Sequence, residues 1–411
     1  MNHKTVLIYL LSSMTLGAME PAGQQEPPQP KSTKTVTPEL FNRNLAQMAA
    51  DLLLTDACIN QYRAQRNLFR EKLEQLPAES LPLLKEYAVR YQSVHEQRAH
   101  QDWVTGIAFS PQGSHLATCS KDKSIKIWNM CKNTCSIELQ AHALPVTGVA
   151  YDKAGDHLVS SSADGTVKLW DLGKEQCLAA LVVPRVETTS IAYNPRADEC
   201  AFGASDRTIM VWDPRSQECT TQFIGHTDPV SSVVYQPTGD HIISGSRDNT
   251  IKIWDRRSQQ SIFTLEGHER GVASVASHPR ELEIASVDGN GIMRRWDVGS
   301  GTCIEIVKHN TTYTYPLSSV AYHPDGTKIA LGGYSPMVII WDVESGKAQR
   351  SLERYGATAL SAAYSPQGDR LALGTTERSY ILWDTSLDQA TDAAALFDYI
   401  LWTTHAMKKT D

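Results

Sequence analysis

The chain has 411 residues, with 46 Asp and Glu against 39 Lys and Arg, for a net charge of −7 with His neutral. No basic stripe runs along it, which argues against nonspecific nucleic-acid binding, an affinity built mostly on phosphate neutralisation.

In chain order, residues 1–18 read MNHKTVLIYLLSSMTLGA. A basic start at Lys4, an apolar run and the small residues Gly17 and Ala18 give the layout of a secretory signal peptide cut after Ala18. The run is too short to span a bilayer comfortably, and no stable membrane span follows it. The chain is therefore expected to be exported, periplasmic or secreted, the alternative being a cytoplasmic chain that keeps these residues. Residues 19–36 are rich in Pro and Gln with almost no apolar content, the composition of a disordered linker. Residues 37–86 form a predicted helical region. Thr37 is its N-cap and Pro38 its first turn, and Phe41, Leu45, Met48, Leu52, Ile59, Tyr62, Phe69 and Leu73 recur largely at three- and four-residue steps. Across its end, Leu76–Tyr87, LPAESLPLLKEY, faintly resembles the opening of an F-box, a helical module that docks on a ubiquitin-ligase scaffold.

From there the chain is periodic. Trp128, Trp170, Trp212, Trp254, Trp296, Trp341 and Trp383 are separated by five gaps of 42 residues and one of 45. A period of this size marks a stack of like units, none able to bury its apolar face alone. The unit read from His226 to Asp255 predicts strands at VSSVVY, HIISGS and TIKIWD, with turns at QPTGD and RDN, and a fourth strand at SIFTLEG.

Each unit ends in Trp-Asp, or Trp128–Asn129 in the first. With the period and the Gly-His lead-in, these residues resemble the WD-repeat family over roughly residues 90–385. The resemblance implies a seven-bladed β-propeller at residues 87–385, so that the fold class is all-β with an N-terminal helical region and a C-terminal helix. It also implies a hydrogen-bonded group of His, Ser or Thr, Asp and Trp in a blade. The matching sets are His100, Thr118, Asp122 and Trp128; His142, Ser160, Asp164 and Trp170; and His226, Ser244, Asp248 and Trp254. A fourth, His268, Ser286, Asn290 and Trp296, has Asn in the Asp slot. Pro184 and Tyr355 replace His in the third and seventh blades, and the sixth keeps His309 but has Leu331 and Ser335 in the other slots.

Recurring His, Ser and Asp invite a hydrolase reading. Nucleophilic catalysis needs one exposed hydroxyl with its base and oxyanion donors, whereas a trio repeated with Trp always attached reads as polar groups satisfying one another. No nucleophile elbow, phosphate-binding glycine loop or metal-spaced His/Glu pair appears elsewhere, so no catalytic residue, cofactor or metal is expected. Cys135, Cys177, Cys219 and Cys303 fall seven residues after a blade Trp and read as a repeat slot for small apolar side chains. Cys131 and Cys135 flank one tight loop and could pair in an oxidising compartment. A zinc site there would need two further ligands, and none has suitable spacing.

The strand Tyr91–Glu96 sits in the phase of a fourth strand, and is expected to complete the last blade and close the ring. Residues 386–411 carry Ala390, Ala394, Phe397, Ile400 and Leu401 at helical spacing, a predicted C-terminal helix and tail. The resemblance implies partner binding on the face that carries the loops leading into each blade and the turns that hold Asp, where loops vary while sheets stay fixed. The candidates there are Trp103, Lys121, Arg247 and Arg270, with Tyr313, Tyr315 and Tyr334 around the sixth blade, whose three extra residues lie in HNTTYTYP. These readings add up to an exported, non-enzymatic scaffold for a protein or peptide partner. The alternative is a substrate-recognition adaptor of a ubiquitin-ligase-like complex.

Overall fold

The computed structural model describes residues 94–308, 315–335, 337–353 and 358–385. The expected signal, linker, helical region and C-terminal helix lie outside these residues, as do Tyr91, His309, Tyr313 and Tyr355. Within them the chain forms seven four-stranded antiparallel sheets, six of them paired from neighbour to neighbour in sequence. In blade 1 the strands run from Val104–Phe109 at the inside through His115–Ser120 and Ser124–Asn129 to Thr134–Gln140 at the outside. The seven inner strands contact one another in order, and the last meets the first.

Burial explains the periodic sequence. The second strand of blade 1 is buried at every position after its first, while its fourth strand is mostly exposed. The apolar cores lie between blades. Trp170 of blade 2 packs with Ile125 and Ile127 of blade 1, and Trp254 of blade 4 with Ile209 and Val211 of blade 3. Each blade Trp thus fills a layer that its own sheet cannot bury, worth about 2 kcal/mol or more per large side chain.

The junctions carry a polar bond as well. In every blade the pairing of the inner strand slips at its second residue, as between Val104 and Gly106. Such a bulge re-aims one side chain, here a hydroxyl. Thr105 donates to the Val146 carbonyl of the next blade at 2.5 Å, Thr147 to Thr188 at 2.8 Å, Thr189 to Val230 at 2.5 Å and Ser318 to Ala359 at 2.6 Å. Ser231 bonds Val272 in the same way. Ala273 and Leu360 hold the equivalent places at the two remaining junctions and have no hydroxyl.

The ring closes through Val94–Arg98, which pairs antiparallel with Ser379–Asp384 as the outermost strand of blade 7. Closure by an N-terminal strand was expected, with bounds a few residues earlier. The register places Gln97 opposite Tyr380, whose ring meets Trp128 of blade 1 edge-on at 5.1 Å. One segment therefore removes the open edge of blade 7 and leads directly into Ala99 and His100 of blade 1. Deleting Val94–Arg98 from the full chain should lower the thermal midpoint by more than about 5 °C and promote aggregation. An unchanged midpoint would show that blade 7 does not need this strand.

Candidate interaction face

The loops leading into the blades and the turns between second and third strands share one face, and a four-residue relay holds them there. In blade 4 the Trp254 indole N–H donates to Ser244 Oγ at 2.8 Å. Ser244 Oγ lies 2.8 Å from His226 Nε2, and His226 Nδ1 lies 2.7 Å from Asp248 Oδ2. With the imidazole proton on Nδ1, every donor in this chain meets an acceptor. Asp248 then takes the Thr227 amide at 2.9 Å on Oδ2, and the Thr250 amide and hydroxyl at 2.9 and 2.7 Å on Oδ1. One carboxylate therefore pins both the lead-in loop and its own turn.

Blades 1 and 2 repeat the arrangement with His100, Thr118, Asp122 and Trp128 and with His142, Ser160, Asp164 and Trp170. Thr118, Ser160 and Ser244 are wholly buried. Each hydroxyl accepts from an indole and faces an imidazole, so no substrate can reach it. These groups are struts.

Blade 5 corrects the sequence reading. Its carboxylate is Asp288, not a missing residue replaced by Asn290. His268 Nδ1 lies 2.7 Å from Asp288 Oδ2, His268 Nε2 lies 2.7 Å from Ser286 Oγ, and Trp296 donates to Ser286 at 2.8 Å. Asp288 occupies the buried place that Ser120, Ser162 and Ser246 fill in blades 1, 2 and 4, two residues earlier than the usual Asp, and accepts the Asn290 and Ile292 amides. Alignment by turn position could not see this, because the carboxylate approaches the same imidazole from a different residue.

Blades 3 and 6 show what loss of the relay costs. Phe202 and Leu331 stand in the hydroxyl slot, and the indole N–H groups of Trp212 and Trp341 have no hydrogen-bond partner among the described residues. A buried orphan donor costs about 1–3 kcal/mol. The strand opposite changes in step. Thr118, Ser160, Ser244 and Ser286 face Lys126, Lys168, Lys252 and Arg294, whereas Phe202 and Leu331 face Met210 and Ile339. Lys168 and Arg294 donate to the carbonyls of Ala141 and Gly267, each just ahead of a relay His, at 2.7 and 2.8 Å. This paired exchange was visible in the repeats as TVKLW against TIMVW, and alignment on Trp alone passes over it.

The candidate partner residues fall into two groups. In blade 1, Lys121 Nζ lies 3.6 Å from the centre of the exposed Trp103 ring, a cation–π pair. The second group lies on consecutive blades. Arg247, in the turn of blade 4, is so close to the blade 5 lead-in loop that a Cβ on Gly271 would sit 3.1 Å from its Cα. The Arg270 side chain of that loop passes over Gly289 in the turn of blade 5. Gly291 of the same turn lies against the Tyr315 carbonyl of blade 6, where any Cβ would fall 2.5 Å from that oxygen. Tyr334 donates its amide to Pro316 at 3.0 Å. The structure thus brings Arg247, Arg270, Tyr315 and Tyr334 onto one arc, and leaves Trp103 and Lys121 apart from it.

The recurring cysteine slot is the second residue of the fourth strand in blades 1, 2, 3 and 5. Cys135, Cys177 and Cys219 are exposed, because the fourth strand is the outer edge of each blade, and Cys303 is half-buried. Cys131 and Cys135 are both free thiols.

The relay has a pH signature. Burial pushes His142 down to about 4, against the pull of the Asp164 carboxylate, and burial likewise lowers His226. Burial alone would raise Asp164, but bonds from the Thr166 hydroxyl and the Ala143 and Thr166 amides outweigh it and hold the carboxyl at about 2. An unfolded His takes up its proton near 6.5 and the folded His142 does not, so native stability falls as pH drops from 6.5 towards 4, by up to roughly 3 kcal/mol. The Asp164 contribution is present above the ordinary carboxylate value of 3.8 and is lost as pH falls through about 2. Thermal unfolding of His142→Gln between pH 7 and 4.5 should show a shallower loss than the parent chain, and parallel slopes would contradict the assignment.

Two family models cover most of the ring. The WD domain, G-beta repeat, matches residues 91–129 and 133–171, and the IFT122 first beta-propeller matches residues 187–409. Among curated proteins, Lissencephaly-1 homolog 1 of Paramecium tetraurelia is 45% identical over 31 residues, 8% of this chain and 8% of that relative's length. With seven four-stranded blades, the relay in four of them and a family model spanning more than half its residues, the chain belongs to the WD-repeat β-propeller family.

Proposed function

We propose that this chain is a non-enzymatic interaction scaffold that receives a protein or peptide partner on the arc formed by blades 4 to 6. The observation that carries the reading is a break in the repeat. Relay carboxylates tie the lead-in loop to the turn in blades 1, 2 and 4, whereas blade 5 has drawn its carboxylate into the core, where it bonds its own turn, and blade 6 has Leu331 and Ser335 in the relay slots. Beside this break stand Tyr315 and Tyr334, 44% and 52% exposed, a degree of exposure that an isolated structural tyrosine has no need of. Tyrosine and arginine supply much of the energy at protein interfaces. Export is part of the proposal, and rests on the Lys4, Val6–Leu11 and Ala18 pattern.

The test is recovery of the full chain, with its partner, from its own cells. Tyr315→Ala with Tyr334→Ala should reduce the recovered partner by at least about tenfold while leaving the thermal midpoint unchanged. Undiminished recovery would remove the arc from the interface. In the same preparation an N-terminal peptide beginning at Met19 would support export, and an intact segment 1–18 would favour the cytoplasmic adaptor.

A further inference from the structure

The arc has a charge character that its repeat mates lack. At the turn position after the second strand, blades 1 to 4 carry Asp122, Asp164, Asp206 and Asp248, and blade 7 carries Glu377. Blades 5 and 6 carry Asn290 and Ser335. The compensating carboxylate of blade 5, Asp288, is wholly buried and committed to His268 and two amides. Two adjacent turns of the ring therefore present no carboxylate at this position.

Arg270 stands beside the blade 5 turn, and Arg247, in the turn of blade 4, stands against the blade 5 lead-in loop. Both are exposed, and neither makes an ion pair or a side-chain hydrogen bond among the described residues. Four of the other arginines in blades 3 to 5 find carboxylates, Arg215 meeting Asp198, Arg256 meeting Glu199, Arg257 meeting Asp240, and Arg295 meeting Glu283 and Glu305, whereas Arg185, Arg196, Arg207, Arg280 and Arg294 find none among the described residues. Glu269 precedes Arg270 in the blade 5 lead-in loop and Asp228 lies in the lead-in loop of blade 4, yet neither pairs with Arg247 or Arg270. The two backbones are in contact through Gly271, so their planar donor forks issue from neighbouring points. Tyr315 and Tyr334 add two exposed phenol groups.

We propose that the partner segment received here is an acidic peptide, its carboxylates held by the Arg247 and Arg270 guanidinium groups with Tyr315 and Tyr334 alongside. This rests on the arc being the docking face, and it names the chemistry of what docks. Carboxylate is the matching group because the guanidinium fork fits it with two parallel hydrogen bonds, and exposed charge pairs of this kind set specificity and association rate.

The probe is a fluorescent Glu-rich peptide, with a Gln-for-Glu peptide of equal length as its control. Anisotropy with the full chain should show binding of the Glu peptide only, weakening as salt is raised. R247E with R270E should weaken that binding by at least about tenfold, with an unchanged thermal midpoint. R270E alone serves as the second variant should the pair fail to fold, and should weaken binding in the same direction. Equal binding of the Glu and Gln peptides, no binding of either, or full Glu-peptide binding by a folded reversal variant would overturn the proposal. If the acidic peptide fails while partner recovery still depends on Tyr315 and Tyr334, the assigned chemistry falls and the docking face stands. If that dependence is absent too, the docking face falls with it.

Discussion

Four of the seven blades carry their loops on a short chain of buried hydrogen bonds from indole to hydroxyl to imidazole to carboxylate. Four polar groups enter an apolar interior at each relay, and each would cost free energy if left unpaired. Joined in one direction, they satisfy one another. The final carboxylate reaches two backbone segments that the sheet ladder does not connect, as Asp248 does for Thr227 and Thr250. The relay thus carries the rigidity of the blade out to the loops. Beneath it, apolar layers shared between neighbouring blades and a hydroxyl bond at five of the junctions make each blade depend on the next.

A ring built from repeats gains its functional character where the repeats differ. Blades 1, 2 and 4 use the same atoms to the same end, so their turns are alike. Blade 5 keeps the buried bonds of the relay while moving its carboxylate from the turn to the core, and blade 6 gives the hydroxyl slot to Leu331. These are neighbours, and the exposed aromatic and guanidinium side chains gather beside them. Fixed strands with variable loops are the general arrangement for binding sites on a rigid scaffold. Here the variation has a direction, towards a surface with fewer carboxylates and more donors.

Much of this fold was legible in the sequence because its causes are local and repeated. The tryptophan spacing reflects the between-blade layer that each Trp fills, and the Pro-Gly turns and alternating strands are set within a few residues. The relays of blades 1, 2 and 4 could be read residue by residue. What escaped was non-local. Asp288 reaches His268 from an unexpected position, which only the folded backbone reveals. The junction hydroxyls of Thr105, Thr147 and Thr189 look like ordinary strand threonines until the bulge turns them towards the next blade. The cysteine slot was legible as a recurring position, but regular spacing does not say which way it faces, and the fold sets it on the exposed outer strand. The arc of Arg247, Arg270, Tyr315 and Tyr334 was half legible. The residues stood out by type, but their adjacency depends on close approaches at Gly271, Gly289 and Gly291.

Hydrogen exchange on the full chain, followed peptide by peptide, tests the central claim that relay carboxylates hold the loop-bearing face. The amides of Gln101, Ala143 and Thr227 donate to Asp122, Asp164 and Asp248 at 2.8, 2.8 and 2.9 Å. They should exchange markedly more slowly than those of Arg185 in blade 3, which has no relay, and of Glu269 in blade 5, whose carboxylate is turned inward. Equal exchange across these loops would contradict the account, and would place the rigidity of the face in the sheets alone.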